Sequence, residues 1–366
     1  MPPIYSSVAI YYISGTGNAA SAAGWVADEA FRAGIPVSVI DIGSEESLFM
    51  SSDSENPLIG FAYPTHGFNA IPAMIYYLLQ LPGGEGRRVF LMNTRGGMKI
   101  SKMFLNGISG VALLLPAFIL LMKGYRCIGF RPVDLPSNWI ILHPGIRKNV
   151  VNSIYGHWEV NVRLFARQVL AGKRVWRGLF SLPVDLALFP IALGYFLAGR
   201  FFLAKTFVAG TSCNLCGLCI KECPTKSIIL VDGRPYWKLT CESCMKCLNR
   251  CPERAIQTTH GLAVIFWLIL SGLFALIFPV LVRIGGINVE ALWWKVIEQL
   301  LHFGVLIVTV WAIYLVVHYL QRIKPFRYLI EYTSLSRLGF WRRYLSPLFN
   351  KIKAYWQRGS SSAYTK

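Results

Sequence analysis

The sequence predicts three parts: a doubly wound parallel α/β sheet, a small α+β module built on eight cysteines, and a C-terminal transmembrane helical hairpin. Three observations predict them. Strand-like and helix-like stretches alternate through residues 1–172, the pattern of a parallel sheet with crossover helices. A cysteine pattern is then written twice, 28 positions apart. Two charge-free apolar runs follow, in a chain of 366 residues that is 54% hydrophobic and has a mean hydropathy of +0.46.

The first strand, Ser6–Ser14, is nearly continuously apolar, as a strand buried on both faces requires. It runs into the turn Ser14-Gly15-Thr16-Gly17-Asn18-Ala19 and a helix of small residues. Strands near Val37–Ile42, Leu58–Tyr63, Arg88–Asn93 and Tyr125–Arg131 follow, with helices near Ile71–Leu81 and Lys102–Met122. Backbone N–H groups of the first strand-to-helix turn, backed by the helix N-terminus, make an anion site. The hydroxyls of Ser14 and Thr16 and the amide of Asn18 add donors. Two more loops end later strands: Tyr63-Pro64-Thr65-His66-Gly67-Phe68 and Asn93-Thr94-Arg95-Gly96-Gly97. Ligands of doubly wound sheets sit at strand C-termini, beside the switch point of the strand order.

Together these loops resemble those of a flavodoxin-like domain, over roughly residues 5–172. The resemblance implies FMN, with its phosphate in the Ser14–Asn18 loop and its ring flanked by the other two loops. His66, Phe68 and Trp139 are candidates to contact that ring. Ala19 stands where flavodoxins usually carry Thr, so the loop has one hydroxyl fewer.

The first cysteine run is Cys213-x2-Cys216-x2-Cys219-x3-Cys223-Pro224, and the second is Cys241-x2-Cys244-x2-Cys247-x3-Cys251-Pro252. Three thiolates at such intervals wrap a tight loop around one corner of a cubane, and the proline turns the chain away after the fourth. Zinc sites use C-x2-C pairs with a longer gap between the pairs, and need neither a third Cys at x2 nor a fourth at x3 before Pro. The run resembles the bacterial two-cluster ferredoxins over residues 208–258. There the fourth Cys of each motif ligates the other cluster. The resemblance implies two [4Fe-4S] clusters. Cys213, Cys216, Cys219 and Cys251 would hold one; Cys241, Cys244, Cys247 and Cys223 would hold the other. Between the runs, Asp232-Gly233 flanked by apolar residues marks a hairpin. The ninth cysteine, Cys127, lies in an apolar strand-like run and is read as a small buried core residue.

In this module eight basic residues, from Lys205 to Arg254, face four acidic ones. Positive charge near a cluster favours its reduced form and raises its potential. It also suits an acidic partner or a membrane surface.

A flavodoxin-like domain followed by a two-cluster ferredoxin is similar to a family of flavodoxin–ferredoxin fusion electron-transfer proteins. The likeness includes the Leu135-Pro136-Ser137-Asn138-Trp139 stretch and covers about residues 5–258. It implies an oxidoreductase-type electron carrier or subunit without naming a substrate. No Ser/His/Asp arrangement or acid–base carboxylate pair stands out, so no catalytic side chain is assigned.

Leu262–Val282 holds 21 residues without a charge. At about 1.5 Å each it matches a hydrocarbon core of about 30 Å. Phe303–Leu320 is a second such run. Residues 260–322 are therefore expected to form two transmembrane helices, about 262–282 and 303–320, with Trp293 and Trp294 at the far interface. The last 46 residues carry ten basic side chains against Glu331 alone, so 323–366 reads as a basic tail facing anionic lipid. The start lacks the basic n-region of a signal peptide. Redox domains and tail are thus expected on the cytoplasmic side of the cytoplasmic membrane.

Leu179–Ala198 is long enough to span but contains Pro183, Asp185 and Pro190. A mid-membrane Asp costs about 2.5–3.5 kcal/mol. Residues 173–205 are read instead as an interfacial or re-entrant linker before the ferredoxin domain at 206–259. His260 and His318 fall at the ends of the two runs and are read as interfacial histidines, so no haem is expected.

The expected function is a membrane-anchored electron-transfer protein. It would pass electrons between FMN, two [4Fe-4S] clusters and membrane oxidoreductase subunits or quinone, with a soluble redox partner as a further option. The alternative is a flavin-free relay subunit of a larger membrane complex. The net charge of +19 accompanies no nucleic-acid motif, so nucleic acid is not expected as a partner.

Overall fold

The computed structural model describes residues 3–43, 56–179, 181–284 and 292–349, and some side chains between 262 and 307 also lie outside the description. The chain divides into two units. The first takes in the residues up to Phe196, Cys244–Asn249 and the C-terminal segment from Arg342; the second comprises Leu197–Ser243 and Arg250–Trp341.

The first unit is built on β1 (Ser7–Tyr12), β2 (Val37–Asp41), β3 (Pro57–His66), β4 (Arg88–Ile100) and β5 (Arg126–Pro136). They lie in the order β2-β1-β3-β4-β5, all parallel. The two-residue β6 (Val175–Trp176) pairs with β5. The order reverses between β1 and β3, which puts the switch point at the C-terminal ends of those two strands. Strand alternation sends Val8 and Ile10 to one face and Ala9, Tyr11 and Ile13 to the other. The first face packs on α1 (Asn18–Arg32) and α4 (Lys148–Leu170) through Trp25, Val26, Val162 and Phe165. The second packs on α2 (Pro72–Gln80) and α3 (Leu114–Met122) through Met74, Leu78 and Leu120. Cys127 is half-buried against this second cluster, and burial pushes its thiol up to about 11.

The helix expected over Lys102–Met122 begins only at Leu114. Upstream, β4 runs past its expected end because Gly96 and Gly97 continue its pairing, with Leu135 and Pro136 of β5. Ser101 then turns the chain at φ 55° into a short antiparallel strand, Met103–Leu105. Gly110 (φ 56°) and a 3-10 turn precede α3.

Beyond β6, short helices Leu182–Ala187 and Phe189–Gly194 occupy the stretch read as a linker. Asp185 is buried, and its carboxylate accepts the Gly110 N–H at 2.8 Å and the Ser181 O–H at 2.6 Å. A buried charge is tolerated when its acceptor sites are filled in this way.

In the second unit, β7 (Phe207–Ala209) pairs antiparallel with β10 (Ile256–Thr258), and β8 (Ile228–Val231) with β9 (Arg234–Trp237). Asp232 (φ 51°) and Gly233 (φ 71°) make the tight turn between β8 and β9, the left-handed pair a two-residue hairpin requires. A helix over Lys324–Tyr332 belongs to this unit. Its Glu331 accepts the backbone N–H of Thr211 and, at 2.9 Å, the Thr211 hydroxyl. The one acid of the basic tail thus braces the start of the first cysteine run.

The transmembrane hairpin is corrected: among the described residues no helix is long and apolar enough to cross a membrane. Helices do form over His260–Ile284 and Leu292–Leu320. Pro279 lies inside the first, and the second carries Glu298 and Gln299 near its start. Location at the cytoplasmic membrane rested on that hairpin and loses its basis with it. Residues 285–291, between these helices, and 350–366 of the tail lie outside the described residues. His318 meets the Val231 carbonyl at 3.3 Å and packs edge-on against Tyr236. His260 accepts the Leu335 N–H at 3.2 Å.

Candidate functional site

The C-terminal ends of β1, β3, β4 and β5 surround a cavity of about 560 Å³, within the range of small-molecule and cofactor sites. Of the residues expected here, Ser14, Gly15, Thr16, Asn18, Pro64, Thr65, Gly67, Phe68, Thr94, Arg95 and Gly96 line it. Gly17, Tyr63, His66, Asn93 and Gly97 do not line it, and each supports the wall from behind. Gly17 takes φ +99° at the start of α1 and donates its N–H to Ser14 Oγ at 3.1 Å. Tyr63 is buried and donates its hydroxyl to the Ala112 carbonyl at 2.9 Å. Asn93 donates to Thr65 Oγ1 at 2.8 Å and to Ser109 Oγ at 3.1 Å. His66 is buried beside the Trp139 ring, 5.6 Å between centroids. Gly97 lies against the Asp134 backbone.

The phosphate loop is prepared by its neighbours. Ser14 Oγ accepts the Gly17 N–H, and Thr16 Oγ1 accepts Asn138 Nδ2 at 2.8 Å. Each hydroxyl keeps its own hydrogen to donate to an anion. Asn18 differs from expectation. Its Nδ2 donates to the Pro136 carbonyl at 2.9 Å, and its Oδ1 accepts the hydroxyls of Tyr155 and Tyr344 at 2.7 and 2.6 Å. Its side chain therefore anchors the loop.

The second loop makes a two-residue hairpin: β3 pairs with Asn69–Ala70 across His66 and Asn69. Gly67 (φ 54°) and Phe68 (φ 62°) are its left-handed corner. That conformation suits Gly and strains Phe. Such strain concentrates at ligand sites, and Phe68 is the side chain the corner places on the cavity wall. Tyr195 packs where a Gly67 side chain would stand.

Sequence reasoning missed a further stretch of wall, Leu105–Ile108, and the positions Ser137, Asn138 and Leu142. A buried ion pair fixes the first of these. Arg95 Nε donates to Asp134 Oδ1 at 2.5 Å and Nη2 donates to Oδ2 at 3.2 Å. Asp134 Oδ1 also accepts the Gly107 N–H at 2.8 Å, and Arg95 Nη1 donates to Ser109 Oγ at 3.0 Å. Burial pushes the Asp134 carboxyl up, and the Arg95 guanidinium opposes the shift. The Trp139 ring lines the cavity and packs on Tyr195. Its Nε1–H is buried with no hydrogen-bond partner among the described residues. A donor left so in a cavity wall fits a ligand that supplies an acceptor.

One cysteine of the second run lies against the phosphate loop. The carbonyl of Cys244 lies where a Gly15 side chain would begin, with Cys244 Cβ 2.9 Å from that point. Asn138 Nδ2, which holds Thr16, also reaches the Cys244 carbonyl at 3.4 Å.

The two cysteine loops repeat one backbone shape. Leu215 and Ser243, two residues after the first Cys of each run, are left-handed; so are Gly217 and Met245, and again Lys226 and Arg254. Alternating backbone hands turn successive N–H groups inward as a nest for an anion. The fourth cysteines match as well: Ser227 N–H donates to Cys223 Sγ and Ala255 N–H to Cys251 Sγ, both at 3.3 Å. Cys213, Cys216, Cys219 and Cys251 line one cavity of about 140 Å³ in the second unit. Cys223 and Cys241 belong to the second unit, and Cys244 and Cys247 to the short segment counted with the first. No disulfide joins any cysteine. Burial pushes the Cys213 thiol up and the Cys219 thiol up to about 11, with Cys251 among the neighbours adding to both shifts. Bare thiolates are disfavoured there, and a cationic iron core between them would offset that cost. Among the described residues no three His, Cys, Asp or Glu side chains converge as ligands of a single ion.

Residues 212–256 match the 4Fe-4S dicluster domain family. No curated protein matches the chain. Among solved structures, a flavodoxin from Streptococcus pneumoniae TIGR4 is similar at 16% identity, TM-score 0.31, over 45% of this chain and 98% of that one. A flavodoxin from the domain Archaea is similar at 12% identity, TM-score 0.28, over 44% and 99%. An oxidised flavodoxin from Bacillus cereus is similar at 15% identity, TM-score 0.28, over 43% and 98%. The strand order of the first unit is that of flavodoxin-like sheets. The chain therefore joins a parallel α/β sheet of that order to a 4Fe-4S dicluster domain, the components of an electron-transfer protein.

Proposed function

We propose that the cavity of the first unit binds FMN and that the protein relays electrons between this flavin and two [4Fe-4S] clusters. The observation that carries the reading is the approach of Cys244 to Gly15. It sets a cluster-ligating cysteine against the flavin's phosphate loop.

The residues fit the flavin. Ser14, Thr16 and the backbone of the turn offer donors to a phosphate, and Phe68 and Trp139 form apolar walls for a ring. FMN, when bound, supplies two-electron exchange in one-electron steps. The chain's part is to hold the phosphate, orient the ring and keep water from it. The cysteines fit two cubanes, each of which supplies one-electron exchange when bound. The Ser227 and Ala255 amides lower the cost of the negative charge on Cys223 and Cys251.

Cys216 is exposed. The set formed by Cys213, Cys216, Cys219 and Cys251 is then the one that faces outside partners. Eight basic residues against four acidic ones around the cysteines suit a soluble redox protein with an acidic surface.

Anaerobic purification of the full chain with flavin and iron quantified tests the reading. The expected result is close to one FMN and about eight iron atoms per chain, four per cubane. Iron without flavin would overturn it and leave a flavin-free relay.

A further inference from the structure

The phosphate loop is held by the far end of the chain. The backbone N–H of Ser346 donates to the Thr16 carbonyl at 2.8 Å. Ser346 Oγ and Ser21 Oγ, in the first turn of α1, are 2.8 Å apart. The Tyr344 hydroxyl donates to Asn18 Oδ1 at 2.6 Å and lies 3.1 Å from the Tyr155 hydroxyl. Tyr344 is itself buried in the core cluster of α1 and α4. Gly17 has no side chain to obstruct this segment: a Cβ there would stand 2.7 Å from Ser346 Cβ and 2.9 Å from Phe349 Cδ2.

These bonds act on the loop's shape. In a trans peptide the C=O and the following N–H point opposite ways. Tying the Thr16 carbonyl outward to Ser346 turns the Gly17 N–H inward, where it meets Ser14 Oγ. Tyr344 shares with Tyr155 the fixing of Asn18, which starts α1 and so sets the direction of the helix N-terminus. Neither Tyr344 nor Ser346 lines the cavity, and both act on it through the loop they hold.

We infer that Tyr344 and Ser346 are positioning residues of the flavin phosphate site, so that docking of the C-terminal segment and flavin binding stabilise each other. The inference rests on the flavin reading above. By linkage the coupling is reciprocal: flavin strengthens the hold on the segment as much as the segment strengthens the hold on flavin.

The test is an FMN fluorescence titration of the full chain, comparing wild type with Tyr344→Phe and with Ser346→Pro, which lacks the N–H that holds Thr16. Loss of one buried hydrogen bond is expected to raise the Kd roughly fivefold in each variant. An unchanged Kd in both overturns the inference. If Ser346→Pro fails to fold, Tyr344→Phe carries the test, because it removes a single oxygen and leaves Asn18 its bond from Tyr155. Hydrogen exchange supplies a readout that needs no flavin. The Gly17 amide is expected to exchange faster in Tyr344→Phe than in wild type, and equal rates overturn the inference. A wild-type protein that binds no FMN defeats the flavin reading alone, and the exchange comparison then still decides whether the segment holds the loop.

Discussion

Gly15 and Cys244 meet so closely that the Cys244 carbonyl fills the place of a Gly15 side chain, with Cys244 Cβ 2.9 Å from that place. The two residues come from the two motifs that carry the chemistry, the phosphate loop and the second cysteine run. A methyl group at position 15 has to push the cysteine away. Gly15→Ala is therefore expected to keep its iron and its flavin but to slow electron exchange between them severalfold. Rapid-mixing spectroscopy of flavin and cluster bands checks this. An unchanged rate would show that the contact is incidental to transfer.

Asp134 and Arg95 are both buried, and together they hold the Leu105–Ile108 wall through the Gly107 N–H and the Ser109 hydroxyl. Asp134→Asn leaves the Arg95 charge without its ion partner. Breaking one side of a buried pair costs about 3–5 kcal/mol. Thermal unfolding is expected to show a marked loss, with weaker FMN binding in whatever protein folds. A variant of wild-type stability would contradict the role given to the pair.

Phe68 sits at φ 62°, a strained position for any residue but Gly, Asn or Asp. Phe68→Asn is expected to raise stability by up to about 1 kcal/mol through relief of that strain and to weaken FMN binding by removing a wall of the ring. Denaturant melts and flavin titration of the same sample read the two effects. Lower stability together with unchanged affinity would refute both halves.

Glu29 accepts hydrogen bonds from Arg167, Arg163 and Arg32. These, led by Arg167, hold its carboxyl below the usual range against the opposing effect of burial. A depressed carboxyl contributes stability that is fully present above the unfolded value and is lost as pH falls through the folded one. Glu29→Gln is expected to cost about 1 kcal/mol near neutral pH, Arg167 being largely exposed. The gap from wild type should narrow as the pH falls below the carboxylate range. Melting curves of both proteins from neutral to acid pH check this, and a gap that widens in acid would reverse the sign.

Cys216 is the exposed member of its set. Cys216→Ala is expected to lose the iron of one cluster while the second set, Cys241, Cys244, Cys247 and Cys223, keeps its own. Iron content and low-temperature EPR of the reduced protein read this directly. Two intact clusters in the variant would contradict the ligand assignment.

The parallel sheet and its three site loops were legible because they are local signals. Ser14–Asn18, Thr65–Phe68 and Thr94–Gly96 each end a strand that its own apolar run announces. The cysteine runs were legible for the same reason. What escaped were contacts across long separations. Asn18 looks like a phosphate donor in sequence, but its partners are Pro136, Tyr155 and Tyr344. Asp185 reads as a costly charge in an apolar stretch, and the Gly110 N–H that satisfies it is 75 residues away. The Leu105–Ile108 wall was hidden inside an expected helix, because the left-handed turns at Ser101 and Gly110 outweigh the apolar pattern around them. The apolar runs near the C-terminus signalled spans by hydropathy alone, and among the described residues no helix meets the requirement.

Photoreduction of the flavin in the anaerobic full chain, with the cluster absorbance followed in time, decides whether the two redox sites work as one relay. Transfer within a single molecule predicts that the clusters are reduced at a first-order rate that does not change on dilution. Clusters that stay oxidised beside a reduced flavin, or are reduced at a rate that falls with protein concentration, would contradict it.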